Sequence, residues 1–400
     1  MVRFRTRAWS VLAAIAFISL CGFNPEDVVP DRCSLQKEAA ADCSAFAADG
    51  AGTAKNVILI IGDGMGIGAT YAGRVYQNGP DQPLDWEELP HRGLVTTCAI
   101  GMITDSAASG TAFATGHKTR IGEVSVSPGP EYKPYQSVLE FVKDRKATGL
   151  VTTTMIWDAT PAVFAAHAPK RSSSKDIAAQ MLEKTGVDVM LGGGAAAFKA
   201  DATHPDLIAK APDLGYKVVA TAPELAKVDL TNTNKLLGLF ADKSLEYEAE
   251  RPAESTEPHL SDMAAVALDI LDNDPRGFFI MIEGANIDHA GHSMDMDDLL
   301  GEMAEFDKTV DLVLAWAQEH PDTLIVITAD HETGGIKVIP GEYNKGDKIE
   351  VKWTTAFLGL HASHSSQQVP IYAIGPNASA IKPHMDNTEI YCVLKNAFAP

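Results

Sequence analysis

The residues with the clearest chemical potential stand in Thr104-Asp105-Ser106-Ala107-Ala108-Ser109-Gly110-Thr111, where a hydroxyl directly follows a carboxylate. Ala112, Phe113, Ala114 and Thr115 continue the run at helical spacing. Ser106 therefore reads as the N-cap or first residue of a helix. A helix N-terminus carries free N–H groups and the positive end of the dipole, so it can hold an anion. Two readings follow: Ser106 is an ordinary cap, or it is a nucleophile aimed at an anionic substrate. The rest of the chain decides between them.

Three apolar runs end in an acid within two residues: Ile61 before Asp63, Ile282 before Glu283, and Thr328 before Asp330. In open α/β sheets, sites gather at the carboxyl ends of strands. Acids gathered there repel one another and call for cations or raised pKa values. Histidines stand close by. Asp288 and His292 are spaced i, i+4, Asp330 and His331 are adjacent, and His364 lies in Ala362-Ser363-His364-Ser365. Any one histidine reads as an ordinary half-buried residue. Acid–histidine pairs with no thiolate suit zinc in a site with an open position. Asp158-Ala159-Thr160 adds an acid and a hydroxyl. With Asp63 and Glu283, these suit an octahedral, oxygen-only magnesium site. Arg171, in Pro169-Lys170-Arg171-Ser172, could grip two phosphate oxygens at once, although alone it reads as a surface arginine.

Something must bring these residues together. Short apolar runs at 55–61, 149–154, 187–191, 216–219, 278–282, 323–328 and 369–374 read as buried strands. Amphipathic stretches at about 135–146, 172–185, 261–273 and 297–319 read as helices. Strand and helix in alternation predict a three-layer α/β/α sandwich around a mostly parallel sheet. The segment 332–363 is irregular and rich in Gly and Lys, and reads as a short crown-like insertion at the sheet edge.

Arg3, Arg5 and Arg7 precede an apolar run from Trp9 to Cys21, the pattern of a secretory signal peptide. The run is too short for a transmembrane span. Residues 1–24 are therefore expected to be a signal peptide, 25–54 a lead-in, and 55–400 the functional domain. A secreted or periplasmic location follows. Lipoprotein anchoring at Cys21 is the weaker alternative, because Leu20 stands where a small residue is wanted. The formal charge is −20, and about −23 without the leader, which argues against a nucleic-acid partner. Of the other cysteines, Cys33 and Cys43 could pair with each other, while Cys98 and Cys392 read as small core residues.

The blocks around Asp63, Ser106, Asp158 to Pro161, Glu283 to His292, Thr328 to Gly335 and Ser363 to Ser365 together resemble alkaline phosphatase, in that family's order, from about 55 to 375. The Asp-Ser-Ala-Ala-Ser block, continued by Thr115-Gly116-His117-Lys118-Thr119, is the most specific. The resemblance implies hydrolysis of small phosphate monoesters through a phosphoserine on Ser106. It implies two Zn2+ ions, one on Asp63, Asp330 and His331 and one on Asp288, His292 and His364. It implies one Mg2+ on Asp63, Thr160 and Glu283, and a phosphate clamp at Arg171, whose spacing from Asp158 matches the family pattern. Asp158 and His289 are expected to tune magnesium and phosphate without binding metal, and Asp105 to orient Arg171. The short 332–363 segment leaves a homodimer open. A phosphodiesterase or nucleotide pyrophosphatase of the same superfamily is the enzyme alternative, and Thr160, Glu283 and Arg171 argue against it. A sulfatase would want a modified cysteine at position 106. A non-catalytic metal- or phosphate-binding protein would be missing a nucleophile or ligand, and none is missing.

Overall fold

The computed structural model describes residues 33–46 and 53–398, so the expected signal peptide and Cys21 lie outside the described residues. Its strands, in chain order, are β1 (Asn56–Gly62), β2 (His91–Thr96), β3 (Ala147–Met155), β4 (Val189–Gly193), β5 (Lys217–Val219), β6 (Leu236–Leu239) and β7 (Phe278–Gly284). They continue with β8 (Thr323–Thr328), β9 (Glu332–Thr333), β10 (Ile336–Val338), β11 (Val351–Trp353), β12 (His364–Ser365), β13 (Val369–Ile374) and β14 (His384–Asp386). Ten of them form one sheet in the order β14-β2-β13-β8-β1-β7-β3-β4-β6-β5. All pairings in it are parallel except those of β13 with β2 and β8.

The seven expected strands are present, with β4 and β5 displaced by one or two residues. Three short strands of this sheet were not expected from the sequence, nor were the four of the two small sheets, β9 to β12. In β2 the leading His91 and Arg92 are not buried, and Gly93 is there because a Cβ would meet the Lys382 carbonyl at 2.1 Å. Neither β6 nor β14 has a distinctive pattern, being Leu-Leu-Gly-Leu and His-Met-Asp.

The central strand β1 is buried along its whole length, as expected of a strand covered on both faces. Its register matters most for the site. Ile61 lies opposite both Glu283 on β7 and Thr328 on β8, so Asp63, Glu283 and Asp330 emerge side by side at the carboxyl ends of three neighbouring interior strands.

The helices pack in two groups, which complete the three layers. The helix Ser106–Thr115 packs on Ala159–Ala165 and Asn387–Ala397. The helices Ile67–Gln77, Leu260–Leu271 and Asn286–Ser293 pack on Met296–Glu319. The expected helix at 135–146 is only Val138–Val142, and the one at 172–185 is Ser174–Ala179 followed by a π-turn to Thr185. Within residues 332–363, β10 pairs with β11, and β9 at the segment's start pairs with β12 just past its end.

The cysteine expectation is corrected. Cys33 is bonded to Cys98 and Cys43 to Cys392, so Cys33 and Cys43 do not pair with each other, and Cys98 and Cys392 are not free thiols. Ten residues apart in sequence, the first two lie beside different parts of the domain. Apolar surroundings indicated burial of Cys98 and Cys392 correctly, but burial does not report bonding.

Candidate active site

Asp105, not Ser106, caps the helix: its Oδ1 accepts the Ala108 N–H at 3.0 Å. Ser106 is thus the first helical residue, 3% exposed, with Oγ 3.3 Å from His331 Nε2. The small residues behind it let this helix sit close. Ser109 Oγ donates to the Asp330 carbonyl at 2.7 Å, and a Cβ on Gly110 would press on Val163. The helix carrying Ser106 is thereby tied to the strand end carrying Asp330.

Around Ser106, the first group is Asp63, Asp330 and His331, all buried. His331 Nε2 lies 3.4 Å from Asp63 Oδ1 and 3.2 Å from Asp330 Oδ2. Asp330 Oδ1 is occupied by the Gly64 and His331 amides, which turns Oδ2 toward the others. The second group is Asp288, His292 and His364. One helical turn sets Asp288 and His292 together at 3.3 Å, and His364 Nε2 is 3.1 Å from His292 Nε2. Each of these imidazoles is held from behind by a backbone carbonyl on its Nδ1, His292 by Ala362 and His364 by Thr104. The two Nε2 atoms therefore face inward with Asp288.

A third group joins Asp63 to Thr160 and Glu283. Thr160 Oγ1 is 3.5 Å from Asp63 Oδ2. Thr152 Oγ1 donates to Glu283 Oε2 at 2.6 Å. Arg171 spans two acids, with Nη1 3.3 Å from Asp105 Oδ2 and Nη2 3.0 Å from Asp158 Oδ1. It remains about one-third exposed (32%), so its outward face can meet a ligand. His289 turns to Asn286 Oδ1 at 3.0 Å on its own helix.

The electrostatics are those of crowded acids. Burial, then the neighbouring Asp330, Asp288 and Glu283, raises the Asp63 carboxyl well above its ordinary value. Burial pushes Glu283 up to about 8, and burial with Asp288 pushes Asp330 up to about 6. Burial and the adjacent His364 drive His331 well below the ordinary imidazole range. Arg171, despite burial, is raised by Asp158 and Asp105 and stays charged.

These residues fit bound cations. Asp63 Oδ1, Asp330 Oδ2 and Glu283 Oε1 are buried oxygens with no hydrogen-bond partner. Unpaired buried carboxylate oxygens are costly unless a cation meets them. Two face the bare side of His331 Nε2, and the third lies in the all-oxygen group. The donor chemistry matches accordingly, mixed N and O for zinc and O alone for magnesium.

The sequence reading missed several residues that hold this arrangement. Thr152 and Thr153 stand at the end of β3, where Thr153 Oγ1 accepts the Ala285 and Asn286 amides. Glu332, 2% exposed, accepts the Gly335 and Ile336 amides and the Ser365 hydroxyl, tying β9 to the strand carrying His364. Thr333 contacts both acid–histidine groups. The run of three threonines at a strand end was the available signal for the first two.

Comparison with known proteins identifies a family for the chain. A family model described as alkaline phosphatase matches residues 54–356. The chain is 33% identical over 409 residues to streptomycin-6-phosphate phosphatase of Streptomyces griseus, covering 86% of this chain and 90% of that one. It is 31% identical over 406 residues to alkaline phosphatase of Escherichia coli K12, covering 86% of each. Among solved structures, alkaline phosphatase from the Antarctic bacterium TAB5 superposes with a TM-score of 0.75 at 29% identity, over 86% of this chain and 98% of that one. A point variant of that enzyme has been solved with Mg bound, and matches with a TM-score of 0.75 at 28% identity, over 87% of this chain and 98% of that one.

Proposed function

This chain belongs to the alkaline phosphatase family and hydrolyses phosphate monoesters, and from that premise we propose that Ser106 is its nucleophile and Arg171 its phosphate clamp. The observation that carries the reading is the convergence of Ser106 Oγ, His331 Nε2 and the unpaired oxygens of Asp63 and Asp330.

We assign Asp63, Asp330 and His331 to one Zn2+ and Asp288, His292 and His364 to another. Asp63, Thr160 and Glu283 are assigned to Mg2+. The magnesium-bound relative supports a magnesium site in this fold. When bound, such cations would lower the pKa of the serine hydroxyl and of a water and offset phosphate charge. The chain's own groups do the rest. Arg171 offers two N–H groups to two phosphate oxygens. Asp105 and Asp158 hold the guanidinium in place. The first-turn amides of the Ser106 helix face an anion favourably. Ser106 Oγ attacks phosphorus opposite the ester oxygen. The P–O ester bond breaks, the alcohol leaves with a proton, and a phosphoserine remains. Water then splits the Ser106 Oγ–P bond and releases inorganic phosphate. Recognition falls on the phosphate, so a range of alcohols is accepted.

We also propose that residues 55–400 form the catalytic unit and that the chain is exported with loss of its leader. Two disulfides suit an oxidising compartment. Among the described residues, no helix is long and apolar enough to cross a membrane. N-terminal sequencing of the mature protein tests the leader.

For the chemistry, the test is Ser106→Ala assayed on an aryl phosphate monoester. It should keep fold and metal content while kcat falls by about a thousandfold or more. Turnover near the parent level would overturn the assignment of Ser106.

A further inference from the structure

We infer that Thr333 is a positioning residue that fixes the tautomer of His331 and links the two acid–histidine groups. Thr333 is 1% exposed on the two-residue strand β9, opposite His364 on β12, and its amide donates to the Gly64 carbonyl at 3.0 Å. Its Oγ1 donates to Asp288 Oδ1 and lies 3.2 Å from His331 Nδ1.

A hydroxyl has one proton and two lone pairs, and an ionised carboxylate only accepts. The single Thr333 proton therefore goes to Asp288, and the hydroxyl can meet His331 Nδ1 only as an acceptor. Nδ1 must then carry the imidazole proton. A neutral imidazole with its proton on Nδ1 keeps its lone pair on Nε2. That atom faces Ser106 Oγ at 3.3 Å, Asp330 Oδ2 at 3.2 Å and Asp63 Oδ1 at 3.4 Å. Thr333 thus selects the one neutral tautomer able to ligate a cation with these oxygens. It also steadies Asp288 in the other group. Hydrogen bonds behind a ligating histidine set tautomer and ring orientation, and losing one costs about 10- to 100-fold in metal affinity.

The inference rests on the reading of the two groups as zinc sites. Its test compares the parent with Thr333→Val and Thr333→Ser. Valine keeps the shape that packs against Gly291, while serine keeps the hydroxyl. Zinc affinity is measured by competition with a chromogenic chelator, and the His331 tautomer by 15N NMR of the imidazole. Valine should weaken zinc by about 10- to 100-fold and mix the His331 tautomers, and serine should restore both. Parent-like affinity and an unmixed tautomer in the valine variant would overturn the inference, as would serine behaving like valine. A parent protein that binds no zinc would instead sink the two-group reading itself.

Discussion

Asp105 caps the helix that starts at Ser106 with one carboxylate oxygen, 3.0 Å from the Ala108 amide, and meets Arg171 with the other at 3.3 Å. One side chain therefore sets the distance between the proposed nucleophile and the proposed phosphate clamp. The second oxygen also accepts the Gly122 amide at 3.0 Å, and Arg171 N–H donates to the Gly122 carbonyl at 2.7 Å. The loop that places Arg171 is tied to the same point.

Asp105→Asn should separate these duties. With the amide oxygen kept toward Ala108, the NH2 group faces two donors, Gly122 N–H and Arg171. The cost to stability should be about 1 kcal/mol. Phosphate affinity should fall roughly two- to fivefold, the size of a partly exposed ion pair. Inhibition by inorganic phosphate measures it, and an unchanged constant would remove Asp105 from the clamp.

Removing cations should expose the crowded acids. A chelator is expected to abolish turnover and lower the melting temperature, because bound ions stabilise only the folded state. Zinc with magnesium should restore both. Full activity after exhaustive chelation, verified by elemental analysis, would contradict the cation assignments.

Glu302 provides a pH signature away from the site. It is 3% exposed, accepts the Glu248 amide at 2.9 Å, and burial pushes its carboxyl up to about 8. An unfolded glutamate titrates near about 4.3. Between these values the folded chain keeps a proton that the unfolded chain has lost. Its contribution to stability is complete below the unfolded value and is lost as pH rises toward the folded one. Glu302→Gln stays neutral throughout. Its urea midpoint should match the parent near the acid end and exceed it increasingly up to about pH 8. A difference that does not change with pH would show that Glu302 is ionised in the folded protein.

The two disulfides join the lead-in segment to distant parts of the chain. Cys43 to Cys392 spans 349 positions. The double substitution Cys43→Ala/Cys392→Ala should cost on the order of 3–5 kcal/mol through the entropy of the unfolded chain. Kinetic constants at moderate temperature should hardly change, since neither cysteine touches the site. Peptide mapping without reductant provides the direct check: a Cys33–Cys43 peptide would contradict the observed pairing.

What the sequence by itself determined is what lies within a few residues. Asp63, Glu283 and Asp330 follow short apolar runs that read as buried strands. Asp288 and His292 are one helical turn apart, and Ser106 stands at the start of a helix, although that Asp105 rather than Ser106 caps it came only from the structure. Local backbone geometry decides each of these, and motif order then identifies the family. The tertiary structure alone decided which of these pieces meet. Ser106 and His331 are 225 positions apart, and Thr333 and Asp288 are 45 apart. Their contacts depend on the register of β1 with β7 and β8 and on the pairing of β9 with β12. Threonines have no pattern that marks a hydroxyl between two ligands, and cysteines none that names a partner. Side chains distant in sequence are matched by tertiary packing, which local sequence does not encode.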